Sequence, residues 1–117
     1  MPKHYKLWFN GRCVADAVKG ANWFWPRLVG LMGQKRLLAG QGLWLKGCKQ
    51  VHTCFMRFAI DVVFLDENAE VLQIVPAMAP WKLSPYLGKA KSILELPAGE
   101  AEAAGIKQQD VLKLEAA

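Results

Sequence analysis

The stretch Val51-His52-Thr53-Cys54-Phe55-Met56-Arg57-Phe58-Ala59-Ile60-Asp61-Val62-Val63-Phe64-Leu65-Asp66 decides the fold. It closes on Val62-Val63-Phe64-Leu65, a β-branched and aromatic tract of the kind that fills a buried strand. Read as one strand, the run puts His52, Cys54, Met56, Phe58 and Ile60 on one face and Thr53, Phe55, Arg57, Ala59 and Asp61 on the other. The first set is the expected core face. The segment is the expected centre of the molecule, with Val62, Phe64 and Leu65 almost fully buried.

Shorter elements surround it. Leu7-Trp8-Phe9 and Cys13-Val14-Ala15 flank Asn10-Gly11, the dipeptide best suited to the positive φ angles of a type I′ turn, which predicts an opening hairpin. Trp23, Leu28, Leu31 and Met32 recur near helical spacing, so a short helix is expected over residues 25–32, with Pro26 in its first turn and Gly33 ending it. Gly40 and Gly47 enclose a strand at Leu43-Trp44-Leu45, and Asp66-Glu67-Asn68 turns the chain into a second hairpin with Val71-Leu72-Gln73-Ile74-Val75. Pro76, Pro80 and Pro85 punctuate a loop carrying Met78, Trp81 and Tyr86. That loop is too apolar for free solvent and is expected to fold over the sheet or rim a site. Residues 92–96 read as a strand, 100–104 as a helical turn stopped by Gly105, and 111–114 as the last strand. The prediction is a single domain over residues 1–117 of α+β class, mostly antiparallel β. Its expected form is a compact curled sheet or partly open barrel of six or seven short strands with two short helices.

Composition sets the outer limits. A chain of 117 residues, 53% hydrophobic, buries about two-thirds of its unfolded surface, enough for a core without disulfide or metal staples. Its apolar runs fall far short of the roughly 20 residues that cross a bilayer, so no membrane span is expected. Leu7-Trp8-Phe9 is cut off by Asn10-Gly11-Arg12 before a signal-peptide core can form, and the sequence as written points to the cytoplasm. Three cysteines, Cys13, Cys48 and Cys54, are an odd number that fits free thiols in a reducing compartment. The formal charge of +5 is uneven: residues 1–57 carry ten basic side chains against Asp16 alone, and residues 58–117 carry five against nine acids. Such a charge distribution steers anions without saying which anion.

Cys48, His52 and Cys54 invite a zinc reading. On an unbroken strand, however, Cys48 lies about 13 Å from His52 and about 20 Å from Cys54, too far for a shared ion or a disulfide. No metal site and no cofactor are expected. The same geometry separates His52 from Asp61 by about 30 Å, which rules out an acid-base dyad between them. Glu95, a charge between Leu94 and Leu96, is the acid best placed to meet His52 or Arg57 across the sheet, although a solvated face accounts for it more simply. The sequence holds no Gly-x-Ser-x-Gly, no glycine-rich phosphate loop and no His-Glu-x-x-His. Its first-half cations are scattered among the tryptophans rather than clustered, which weighs against nucleic acid.

The resulting expectation is a non-catalytic binding module holding a small ligand or an extended peptide. The groove is placed beside His52, Met56 and Arg57 and under the loop of residues 76–86, with Trp81 as its apolar wall and Glu95 or a neighbouring acid across the sheet meeting Arg57. Two alternatives stand beside it: a hydrolase-like enzyme with His52 as general base oriented by Glu95, and a nucleic-acid binder.

The stretch 51–66 resembles the central signature of a widespread prokaryotic family, domain of unknown function 192. Further likeness lies in Arg27-Leu28-Val29-Gly30-Leu31-Met32, Gly42-Leu43-Trp44-Leu45, Leu94-Glu95-Leu96-Pro97-Ala98-Gly99 and Gly105-Ile106, so that it spans roughly residues 25–114. The chain departs from the family pattern at Cys54, Phe55 and Ala59, where a related subgroup often shows Phe, Gly and Pro, and at Gln109, where Gly commonly precedes the aspartate matching Asp110. The resemblance implies a small, mostly β domain with a groove and no established activity. Because some relatives sit beside pilus or secretion functions, it also implies an envelope or pilus-assembly protein as a partner class.

Overall fold

The computed structural model describes residues 3–22, 37–54 and 56–117. Strand β1 (Lys3–Phe9) turns at Asn10 and Gly11 into β2 (Arg12–Asn22), pairing Phe9 with Arg12. Asn10 and Gly11 have φ of 52° and 75°, the left-handed pair that the Asn-Gly hairpin requires. Strand β3 (Gln41–Lys46) lies parallel to β2, and the other neighbouring pairs are antiparallel. Strands β4 (Ile60–Leu65) and β5 (Val71–Met78) form the second hairpin, and β6 (Ser92–Pro97) inserts between β4 and β3. A four-residue helix, α1 (Glu100–Ala103), leads back to β7 (Lys113–Ala116) beside β1. The sheet order is β5-β4-β6-β3-β2-β1-β7.

The seven-stranded sheet curls but is not closed. Its two ends approach where residues 109–112, just before β7, meet residues 69–71 at the start of β5. Val71 N donates to Asp110 O (2.8 Å), Gln109 N to Val71 O (2.8 Å) and Leu112 N to Ala69 O (2.9 Å). One face of the curl is filled by Leu7, Val18, Val63, Leu65, Leu94 and Leu96, with Ala101 of α1 and Ile106 added to it. The opposite face of β3, β6 and β4 holds a second core of Leu45, Val62, Phe64 and Ile93, packed against Cys48, Val51, Met56 and Ala90. Strand β4 is thus buried on both sides, and Val62, Phe64 and Leu65 have no exposed surface. Burial of a strand on both faces is why its sequence reads as a continuous apolar run.

Three expectations need correction. Among the described residues of the long run the strand is confined to 60–65, because Thr53 bonds to a different neighbour, and the face assignments and distances built on an unbroken strand lapse with it. Glu95 is wholly buried rather than solvated. The last strand begins two residues later than expected, Val111 forming instead an isolated bridge to Glu70. The expected helix over residues 25–32 lies outside the described residues, among which α1 is the one helix. No helix among them is long and apolar enough to cross a membrane.

Candidate functional site

The second core is covered by two irregular segments, residues 48–54 with 56–59 and residues 79–90, and Thr53 fastens them together. Its Oγ1 donates to Ala79 O (2.6 Å) and accepts from Lys82 N (2.9 Å). Its backbone N donates to Lys82 O (2.9 Å), and its carbonyl accepts from Trp81 N (3.0 Å) and Met56 N (3.2 Å). A hydroxyl that serves as donor and acceptor at once competes successfully with a strand ladder, so the chain turns here rather than continuing into β4. Val51 N donates to Ser84 Oγ (3.0 Å), and Lys49 Nζ donates to the carbonyls of Gly88 and Ala90 (both 2.7 Å). The loop of residues 79–90 is therefore tied along its length.

On this scaffold the five expected site residues divide. His52 is half-buried and bridges Leu83, and its Nδ1 accepts from Cys54 N (3.2 Å). Trp81 is 61% exposed, and its hydrogen bond to the residue after His52 sets the two segments side by side. Arg57 is exposed at the surface. Met56 is buried in the second core, and Glu95 is buried where Leu43 of β3 and Val62 of β4 flank it in register. His52 and Trp81 lie on adjacent, hydrogen-bonded segments, and among the described residues the ion pair is Lys113 with Glu115 (3.3 Å), none joining Arg57 to Glu95. The loop also presents Leu83 and Tyr86, 68% and 66% exposed.

The imidazole geometry bears on chemistry. A carboxylate that orients a general-base histidine accepts a hydrogen bond from its Nδ1–H. Here Nδ1 acts as acceptor toward a backbone amide, which places the neutral ring's proton on Nε2. The cysteines are not joined by disulfides, Cys13 being exposed, Cys48 buried and Cys54 half-buried. No group of three His, Cys, Asp or Glu side chains able to hold a metal occurs among the described residues.

Two polar residues outside the expected set organise the molecule. Asp61 Oδ1 accepts from Ala77 N (2.8 Å) and Gly99 N (3.2 Å), and Oδ2 from Ala101 N (3.0 Å) and Gly99 N (3.1 Å). It caps α1 from another strand, since Gly99 at the helix start has no side chain to do so. An acid inside a fully apolar strand was the available signal, because a buried carboxylate requires donors. The other is Lys46, whose Nζ donates to Tyr5 Oη (2.8 Å) and sits 4.9 Å and 4.7 Å from the Tyr5 and Trp44 ring centroids. Nothing in the sequence spacing of residues 5, 44 and 46 announces that cluster.

Fold and surface together define a small β-rich domain in which Trp81, Leu83 and Tyr86 stand exposed on a tied-down loop layer, with Leu38 and Val111 exposed elsewhere. The chain belongs to the DUF192 family, described as "Uncharacterized ACR", whose model matches residues 6–114. It is 35% identical to a UPF0127 protein of Pyrococcus furiosus over 89% of this chain and 91% of that protein. It is 43% identical to a UPF0127 protein of Thermococcus sibiricus over 77% of this chain, spanning 60% of that protein's length. A crystal structure of a protein of unknown function from Novosphingobium aromaticivorans superposes with a TM-score of 0.77 at 21% identity, covering 97% of this chain and 84% of that one. A Sinorhizobium meliloti structure described as a candidate transcription regulator gives a TM-score of 0.77 at 19% identity, covering 97% and 94%. At these identities the structural likeness carries the fold alone.

Proposed function

We propose that the protein is a non-catalytic binding module whose loop layer takes an extended peptide or a small ligand beside His52. The observation that carries this reading is the ridge of Trp81, Leu83 and Tyr86, each about two-thirds exposed on a loop held by Thr53, Ser84 and Lys49. Large apolar side chains fixed in solvent mark interaction surfaces more often than scaffold. Lys82, exposed between Trp81 and Leu83, and Arg57, exposed on the segment that carries His52, favour a partner bearing carboxylates, with Arg57 supplying a donor fork. Met56 and Glu95 act from beneath in this reading, as part of the support for the segment that presents Arg57 and His52. An envelope or pilus-assembly protein is the partner class that the family resemblance favours.

Amide correlation spectra of the full chain, titrated with pools of acidic and neutral peptides and of small carboxylates, test this directly. Saturable shifts are expected at His52, Arg57 and residues 79–86, lost in a Trp81→Ala, Leu83→Ala double variant that keeps the native spectrum elsewhere. Shifts confined to other surfaces, or turnover of a ligand abolished by His52→Ala, would refute the proposal.

A further inference from the structure

We propose that the mouth of the curled sheet opposite α1 binds a small carboxylate with a compact apolar body. Helix α1 and Asp61 occupy one end of the curl. At the other end, where β3 finishes and β6 begins, lies an open pocket of about 640 Å³, a size within the roughly 300–1,000 Å³ of small-molecule sites. Its walls include Trp44, Leu112 and Leu114, and three lysines, Lys46, Lys91 and Lys113, stand around it. Apolar walls with convergent cations fit an amphiphilic anion rather than a neutral or cationic guest.

Lysines outnumber acids in the lining, three to two. Two acids, Asp66 and Glu67, share the rim, but Asp66 Oδ1 already accepts from Asn68 N (2.8 Å) and Glu70 N (3.0 Å) to shape the turn. Glu67 is exposed at that turn, and among the described residues neither acid forms an ion pair with a rim lysine. Lys113 is engaged by Glu115, which leaves Lys46 and Lys91 as the ammonium groups for a guest.

Lys46 is also pre-organised. Tyr5 and Trp44 meet edge to face, ring centroids 4.9 Å apart at 88°, and the ammonium rests against both rings while donating to the tyrosine hydroxyl. Fixing a long cationic side chain before binding lowers the ordering cost of the complex. Glycine at position 20 keeps this arrangement, since a Cβ there would run into the Tyr5 ring. The indole of Trp44 forms part of the same wall, its Nε1 buried and without a hydrogen-bond partner.

The probe is benzoate, with benzyl alcohol as its uncharged counterpart, followed by backbone and indole amide shifts of the full chain. Benzoate is expected to give saturable shifts at the Trp44 indole, Lys46, Lys91 and residues 112–114, with benzyl alcohol at least about tenfold weaker, the worth of one charge-assisted contact. A Lys46→Met, Lys91→Met double variant retains the aliphatic stems and should weaken benzoate by about tenfold or more while leaving benzyl alcohol unchanged. The inference is overturned if benzoate produces no saturable shift at these residues, if the alcohol binds as well as the acid, or if the double variant binds benzoate undiminished.

Discussion

At the scale of single residues, Asp61 shows how one side chain joins distant parts of the chain. Its carboxylate collects amides from Ala77, Gly99 and Ala101, so β4, β5 and α1 share one anchor. Asp61→Ala should cost about 2–4 kcal/mol, because amides in a poorly solvated site lose a charged acceptor together. Asp61→Asn, which keeps one oxygen, should cost less. Urea denaturation of both variants measures this, and a loss below about 1 kcal/mol for alanine would show that water replaces the carboxylate. Gln109 predicts the opposite sign. Its φ of 75° lies in the left-handed region that disfavours a side chain. Gln109→Gly should therefore raise stability by about 0.5–1 kcal/mol, the relief of strain exceeding the added freedom of the unfolded chain. An unchanged or lowered denaturation midpoint would contradict that balance.

Among the elements, the contrast lies between β4 and the segment before it. Phe64→Ala should remove about 3–5 kcal/mol, since no surface of Phe64 is exposed and both faces of its strand are packed. Thr53→Val keeps shape but deletes the hydroxyl bonds to Ala79 and Lys82, and should cost about 1–3 kcal/mol. More specifically, amides of residues 79–86 should exchange faster while those of β4 keep their protection relative to global stability; equal acceleration everywhere would make Thr53 an ordinary core residue. These two sites also explain what was legible. Val62-Val63-Phe64-Leu65 announced β4 because apolar, β-branched residues have little alternative to a buried strand, and Asn10-Gly11 announced its turn through backbone sterics. Residues 51–59 carry enough apolar side chains to imitate a strand, yet their fate was set by a hydroxyl meeting carbonyls 26 and 29 residues away. No local period records such a contact. His52 and Trp81 lie on the two segments that Thr53 ties together, whereas the burial of Glu95 was not legible because a charge between two leucines reads equally as a wet face or a buried group.

For the whole molecule, the surface is more basic than the sequence halves imply. Two of the nine acids in residues 58–117, Asp61 and Glu95, are buried, so fewer than nine face solvent against the lysines of both halves. The architecture itself depends on a seam. The ordered ladder runs from β5 to β7, and the three hydrogen bonds between residues 69–71 and 109–112 hold those edges together over the core containing Ile106 and Leu112. Strand β7 pairs with β1, joining Tyr5 to Ala116, so the seam forms only once nearly the whole chain is in place. Such non-local pairing couples the edge to global folding instead of allowing it to fray independently. The amides of Val71, Gln109 and Leu112, which donate across the seam, should exchange with free energies close to that of global unfolding. Leu112→Ala should lower both quantities together, by about 2–5 kcal/mol, as its buried side chain leaves a void beneath the seam. Native-state hydrogen exchange at rising denaturant decides the matter. Merging of these amides with those of Val63 and Phe64 at low denaturant is the expected result, and early, denaturant-independent exchange at the three positions would mean that the curl opens along this line while the rest of the sheet stays folded.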